Sequence, residues 1–261
     1  MAGKPLRIAT FNVNSVRARL PIVTAWMREH RPDVLCLQET KVVDEQFPRE
    51  PFEELGYHLA VHGQKAYNGV AIASVEKPRE VTRGLPGSIA GEARFMTARI
   101  RSVTIVNTYV PQGQDVDSKK YAYKLDWLER LHAWFEEAIR PRLRICWCGD
   151  INIVPTEIDI HDPKRNEGHV CFNPEVRGAF GRILDTGLVD VFRKHHPEPG
   201  HYTYFDYRVR AATSRGIGWR VDHLCATKAL AARSADAWID LAPRNAERPS
   251  DHTPLVVDFE L

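Results

Sequence analysis

Short runs of apolar, often β-branched residues recur from one end of this sequence to the other, and through its middle they follow one another without helical segments between them. The clearest occupy residues 6–13, 33–38, 57–61, 69–74, 95–100, 103–110, 144–148, 219–226 and 255–259. Each has the length of a strand, and most are bounded by Gly, Pro, Asn or Asp. Helical spacing is confined to a few segments. Residues 21–30 place Ile22, Trp26 and Met27 on one stripe, and residues 121–139 do so more strongly with Leu125, Leu128, Leu131, Phe135 and Ile139. Residues 175–184 form a weaker helix. A doubly wound sheet would alternate strands and helices strictly. Strand following strand instead predicts an α/β sandwich, two packed mixed β-sheets flanked by helices. No compositional break resembles a linker, so the expectation is one domain over residues 1–261.

With 43% hydrophobic and 27% charged residues, the chain can bury a sizeable core and does not fall in the disordered class. Its formal net charge is only +2, so any affinity for phosphates must come from a local concentration of Lys and Arg. Arg208, Arg210, Arg215 and Arg220 provide one, with no acid among them, although a plain solvated face is the commoner origin of such a cluster. The five cysteines include no CxxC pair, and Cys36, Cys146, Cys148 and Cys225 sit inside apolar runs. They predict reduced, buried thiols and a cytosolic address, with no zinc site. The first residues are charged at Lys4 and Arg7, so no signal peptide is expected, and no apolar run has the length of a membrane span.

Polar residues cluster where the strands stop. Residues 6–11 run into Asn12 and Asn14, residues 33–37 into Gln38 and Glu39, and residues 144–148 into Gly149-Asp150-Ile151-Asn152. The last strand is preceded by Ser250-Asp251-His252. Sheet proteins gather functional side chains from distant parts of the chain at strand ends. Asp150 and Asn152, two apart, would point to one side if the segment is extended. Taken singly, each is better explained as a turn former or cap. Their joint order is far more specific.

The strings Phe11-Asn12-Val13-Asn14, Leu37-Gln38-Glu39-Thr40-Lys41, His62-Gly63-Gln64-Lys65, Tyr109-Val110-Pro111-Gln112-Gly113, Gly149-Asp150-Ile151-Asn152, Trp219-Arg220-Val221-Asp222 and Ser250-Asp251-His252 occur in that order. Together they closely resemble the exonuclease III family of abasic-site endonucleases, within the DNase I-like metal-dependent phosphodiesterases. The similarity runs from about Leu6 to the C-terminus. It implies a four-layer α/β sandwich with the site at the strand ends of both sheets. By the resemblance, Glu39 is the principal metal ligand, with Asn14 and Asp251 close to the ion. Asp150 would activate or align the attacking water and Asn152 would hold that water or a phosphate oxygen, both counting among the metal-site donors. His252 would contact the scissile phosphate, oriented by Asp222, while Tyr109 and Asn12 complete the phosphate cradle.

Elementary chemistry agrees. A phosphodiester is anionic and repels a nucleophile until its charge is offset. Mg²⁺, with Mn²⁺ as a substitute, takes hard oxygen ligands and binds through one or two carboxylates plus the substrate phosphate. Asn14, Asn152 and Tyr109 add hydrogen bonds without further negative charge, and Asp222 beside His252 would favour the imidazolium.

The expected substrate is double-stranded DNA carrying abasic sites or 3′ lesions. Residues 201–208 interleave aromatic with basic and polar side chains before Trp219. A core hairpin would account for some of those rings. In the family this sequence resembles, the positions of Tyr204, Trp219 and Val221 line a pocket for the flipped-out abasic sugar, too small for a nucleotide that keeps its base. Arg208 would sit where relatives push a side chain into the duplex, Gln112 would be a further DNA contact, and Arg17, Lys65 and the lysines of residues 119–124 would meet the backbone. After Gln112-Gly113 the chain has Gln114-Asp115, where some relatives carry an Arg. In the long polar loop 161–174, His169 is expected to restrict continuous duplex and favour 3′ ends over internal abasic sites. A monomer in the cytoplasm, nucleoid-associated in a prokaryote, fits this reading. The rivals are a nucleic-acid-binding regulator that has lost catalysis, a lipid-, inositol phosphate- or RNA-cleaving branch of the superfamily, and an α/β domain whose strand-end polar residues are caps. The presence of Glu39, Asp150, Asp222, Asp251 and His252 together counts against the first and last.

Overall fold

A strand that is apolar on both faces needs cover on both, and that need arranges this molecule in layers. The computed structural model describes residues 5–140 and 142–261, so Lys4 lies outside the described residues. In chain order the strands are β1 (Leu6–Asn12), β2 (Val34–Gln38), β3 (His58–His62), β4 (Val70–Ser74), β5 (Arg79–Arg83) and β6 (Phe95–Ile100). They continue with β7 (Val103–Tyr109), β8 (Ile145–Asp150), β9 (Leu188–Asp190), β10 (Asp222–Thr227), β11 (Ser234–Ile239) and β12 (Leu255–Phe259). The helices are α1 (Val16–His30), α2 (Glu50–Glu53), α3 (Lys119–Ala138), α4 (Pro174–Asp185), α5 (Val191–His195) and α6 (Lys228–Ala231). Two six-stranded mixed sheets result, ordered β11-β12-β1-β2-β4-β3 and β5-β6-β7-β8-β10-β9, with β1–β2 and β7–β8 the parallel pairs.

Side chains alternate across each strand. Leu6, Ile8, Val34, Cys36 and Ile72 of one sheet meet Ile105, Cys146, Cys148 and Leu224 of the other in the central core. On the outer faces, Phe11, Leu35 and Leu37 pack under Val23, Trp26 and Met27 of α1, while Val106 and Trp147 pack under Trp127, Leu131 and Phe135 of α3 and Phe180 of α4. Each such side chain contributes about 1.5–3 kcal/mol of burial free energy. All five cysteines are buried and free. Among the described residues no helix is long and apolar enough to cross a membrane.

The predicted strands lie within a few residues of those found. The unforeseen ones, β5, β9 and β11, are edges of their sheets. A strand paired on one side keeps solvent-facing residues, as in Arg79–Arg83, where four of five side chains are exposed, and so lacks the apolar signature. Helix α1 starts at Val16, ahead of the expected Pro21, which sits inside it; proline there removes one backbone donor and crowds the carbonyl four residues back. Ser118 caps α3 through its Oγ, accepting from the Tyr121 amide at 3.1 Å, and Asn173 caps α4 through Oδ1, accepting from the Glu175 and Val176 amides. The 161–174 loop is not simply polar: Val170, Cys171 and Phe172 are buried.

Two basic residues expected near phosphates are structural instead. Arg220 is fully buried, its guanidinium 2.6 Å from Asp159 Oδ1 and 2.7 Å from Asp190 Oδ2. Lys124, also fully buried, donates to the carbonyls of Gln112, Asn152 and Val170 at 3.1, 2.7 and 2.8 Å and so ties the site's loops to α3. Neither can reach a bound duplex. Removing one member of a buried ion pair strands the other's charge and costs about 3–5 kcal/mol, so Arg220→Ala should lose that much in urea unfolding, chiefly through Asp190, because Asp159 keeps Arg193 at 2.6 Å.

Candidate active site

The registers of the two sheets bring the distant motifs together. In the second sheet Tyr109 pairs with Asp150 and Asp150 with Asp222, which puts three predicted site residues on one row across β7, β8 and β10. In the first sheet Asn12 pairs with Gln38, so Glu39 emerges beside the end of β1, and the antiparallel pairing of Thr10 with Leu255 brings residues 250–252 to the same rim. Gly149 makes the row possible: at φ +139 its missing Cβ would lie 1.9 Å from the Thr108 carbonyl oxygen.

Beyond the rim, both central strands close with the same turn. The Asn14 amide donates to Asn12 Oδ1 at 3.0 Å, and the Asn152 amide donates to Asp150 Oδ1 at 3.0 Å, with left-handed φ values of 43° and 52° at Asn14 and Asn152. Asn tolerates that conformation better than most residues. Asp150 and Asn152 therefore approach each other through a turn, where an extended segment had been expected. Glu39 is also left-handed, at φ 50°, a conformation that costs a glutamate on the order of 1–2 kcal/mol. The Ser15 amide, donating to its carbonyl at 2.8 Å, holds it there.

Asn12 joins the sheets. Its Nδ2 donates to Glu39 Oε1 at 2.8 Å and to Asp150 Oδ2 at 2.9 Å. His252 stands between two carboxylates, with Nδ1 2.7 Å from Asp222 Oδ2 and Nε2 3.7 Å from Asp150 Oδ2. Its backbone amide donates to Ser250 Oγ, which in turn donates to the Asn12 carbonyl at 2.7 Å. Asn14 Nδ2 donates to Asp251 Oδ1 at 3.1 Å. Lys41, quoted in the Gln38–Lys41 motif but given no role, donates from Nζ to Asn14 Oδ1 and, at 2.8 Å, to Glu39 Oε2. The sequence signal was there: a cation two residues from a lone glutamate.

The surroundings set protonation. Burial, with Asp222 and Glu39 close by, raises Asp150 to about 7, although His252 pulls the other way. Burial disfavours the imidazolium of His252, but Asp222 and Asp150 outweigh it and lift the ring to about 10. Burial thus leads the shift at Asp150, and the neighbouring carboxylates lead it at His252. Burial would likewise raise Glu39, yet Lys41, Asn12 and His252 hold it below the usual carboxylate range. Burial beside Glu39 and Asp150 pushes the Tyr109 hydroxyl well up, leaving it a neutral donor, and the Arg94 guanidinium lies 4.6 Å from its ring.

A cleft of about 790 Å³ opens over these groups. Glu39, Tyr109, Gln112, Asp150, Asn152, Asp251 and His252 line it, and so do Tyr204, Arg208, Trp219, Val221 and His169. Asn12, Asn14 and Asp222 connect to it through the bonds above. Arg17 and Lys65 are exposed and do not line it. His169 is half-buried, edge-on to Trp219 at 4.6 Å between ring centroids, with Nδ1 accepting from the Cys171 amide at 3.1 Å. Burial and the nearby Lys124 lower its pKa. The sequence reading missed His161 and Arg165 as lining residues and named Arg215 only within its basic cluster.

Residues 9–252 match the endonuclease/exonuclease/phosphatase family. Exodeoxyribonuclease III of Haemophilus influenzae is 35% identical over 98% of this chain and 100% of its own. An AP endonuclease from Archaeoglobus fulgidus superposes with a TM-score of 0.96 at 50% identity, covering 98% of this chain and 100% of that one. The chain belongs to the exonuclease III family. A 3′ phosphatase from Neisseria bound to a product DNA hairpin superposes on this exonuclease III relative with a TM-score of 0.95 at 36% identity, over 98% of this chain and 100% of that one. The family's enzymes are metal-dependent hydrolases, and the donor set suits a hard cation: Glu39 and Asn14 already turn oxygens toward one ammonium, that of Lys41. Asp150, Asp222 and His252 also offer ligand atoms within 4.8 Å of one another.

The raised pKa of His252 has a signed consequence. In metal-free protein its contribution to stability is full below the unfolded value of 6.5 and is lost as pH rises toward about 10. A proton NMR titration of the ring should find its midpoint near 10, and Asp222→Asn should bring it down; a midpoint near 6.5 in both proteins would show that Asp222 does not hold the imidazolium.

Proposed function

We infer that this chain is a DNA-repair phosphodiesterase of the exonuclease III type, hydrolysing the backbone 5′ to abasic sites and removing nucleotides or blocking groups from 3′ ends. The observation that carries this reading is His252 clamped between Asp222 and Asp150, at 2.7 and 3.7 Å, on the floor of a cleft walled by Tyr204 and Trp219. A phosphate seated against His252 would present its phosphorus to a water held at Asp150 and Asn152. Asp150 takes the water's proton as the oxygen adds to phosphorus, the P–O3′ bond breaks in line, and the departing 3′-oxygen takes a proton from solvent to become a hydroxyl. Asn12 fixes the Asp150 carboxylate in place through its 2.9 Å bond. The neutral Tyr109 hydroxyl and the His252 imidazolium donate to the phosphate oxygens as charge builds on them. Glu39, with Asn14 and Asp251 and with Asp150 and Asn152 nearby, would hold Mg²⁺, for which Mn²⁺ could stand in. That cation would offset the charge of the phosphate and the surrounding carboxylates.

Recognition follows from the walls. Val154, Ile160, Phe172 and Val221 form a small apolar cluster against which Tyr204 and Trp219 pack, a surface that suits a bare deoxyribose and excludes an attached base. Arg208, 89% exposed, and Arg215 face the cleft mouth, while Gln112 would face the duplex from the opposite rim. Arg17, Lys65, Lys119 and Lys120 are exposed and would meet backbone phosphates beyond it, giving salt-sensitive binding without sequence preference. A monomer acting in the cytoplasm fits this arrangement.

Nicking of an abasic duplex should require a divalent cation, and Glu39→Ala or Asp150→Asn should each lower the rate by about 10³-fold or more. Near-normal turnover in either variant would remove the proposed roles. His169, packed against Trp219, narrows the passage for an unbroken strand, so His169→Gly should raise internal abasic incision relative to removal of 3′-phosphate. An unchanged ratio on the same gel would discard that assignment.

A further inference from the structure

One cluster of ligand-type side chains lies outside the cleft and takes no part in the chemistry above. After α5 the chain reads His196-Pro197-Glu198-Pro199-Gly200-His201. Gly200, at φ +94, turns it back, so that His196, Glu198 and His201 present ligand atoms all within 4.8 Å of one another. Glu198 Oε1 is 3.2 Å from His196 Nδ1 and 2.8 Å from His201 Nε2. A tetrahedral zinc-class ion at about 2.0–2.1 Å from nitrogen and oxygen donors keeps them about 3.4 Å apart. Small rotations about side-chain bonds would turn this arrangement into a coordination shell.

The far nitrogen of His196 settles which atom is available. Nε2 lies 2.6 Å from the Ala237 carbonyl oxygen. A carbonyl only accepts, so Nε2 carries a hydrogen and the lone pair of the neutral ring is on Nδ1, facing Glu198. That contact is favourable only with a cation, a proton or a metal ion, between nitrogen and carboxylate. Ligating histidines are oriented by this kind of outer hydrogen bond.

The backbone beneath is fixed as well. Arg193 Nη1 donates to the His196 carbonyl at 2.8 Å and the Glu198 carbonyl at 2.6 Å, with its charge matched by Asp159. The His196 ring stacks on Phe192 at 4.7 Å. The side chains remain 29%, 53% and 34% exposed for His196, Glu198 and His201, which leaves an approach for the ion and a place for water as a further ligand.

We propose that His196, Glu198 and His201 form a second, surface site for a zinc-class divalent transition metal. Two imidazoles and one carboxylate select such ions over Mg²⁺, which takes oxygen ligands. The cysteines had argued against zinc, and this site uses none of them. His201 leads directly into Thr203, whose Oγ1 accepts from the Val221 and Asp222 amides at 3.2 and 3.1 Å. A bound ion would therefore clip the segment carrying Tyr204 to α5.

The test is a Co²⁺ titration of the tag-free full chain in excess Mg²⁺, followed by visible absorption. A single equivalent should bind with bands of a nitrogen–oxygen site and be displaced by Zn²⁺. His201→Ala and Glu198→Gln should each weaken binding at least about tenfold and abolish the rise in thermal midpoint on adding Zn²⁺. Absence of Co²⁺ uptake, uptake unchanged in both variants, or uptake lost only in Glu39→Ala would overturn the proposal.

Discussion

Asn12 is the joint on which the site depends. Glu39 belongs to one sheet and Asp150 to the other, and both are carboxylates that repel each other when brought to the same rim. A neutral amide whose two hydrogens reach both, at 2.8 and 2.9 Å, binds them without adding charge. Lys41 on one side and His252 on the other supply the positive charge that lets Glu39, Asp150, Asp222 and Asp251 crowd together. Burial at that rim, with the carboxylates beside it, raises Asp150 and keeps Tyr109 neutral, while the carboxylates outweigh burial at His252 and raise it too. Structure and reactivity here are one electrostatic arrangement.

Around that joint the protein separates two tasks. The row of Tyr109, Asp150 and Asp222 lies in the strands of the second sheet, where backbone pairing leaves little freedom. The walls that would select a substrate come from loops: Tyr204 and Trp219 from the stretch before β10, and His169 from the stretch before α4. Relatives with different names superpose over nearly the whole of this chain.

Much of this was legible in the sequence. The layers followed from strand succeeding strand through the middle of the chain, and the rim from polar residues placed where those strands stop. The edge strands β5, β9 and β11 were not, because one-sided burial leaves no continuous apolar run. Arg208 and Arg220 look alike in sequence, yet one is exposed and the other has no exposure at all. What separates them is Asp159 and Asp190, 61 and 30 residues distant from Arg220, and no local pattern carries that. Lys124 misled for the same reason: its partners are carbonyls of three separate loops. The turn that brings Asn152 to Asp150 was hidden because two-residue spacing reads equally as strand or as turn.

The central core has a duty beyond holding the fold. Glu39, Asn14 and Asp251 are mounted on one slab and Tyr109, Asp150 and Asp222 on the other, with Ile8, Cys36, Ile105 and Cys148 filling the gap between them. The thickness of that filling is the gauge of the site. A methyl group gained or lost far beneath the rim would alter the spacing between the half proposed to seat the cation and the half proposed to direct the water, so this interior should tolerate change less well for turnover than for folding.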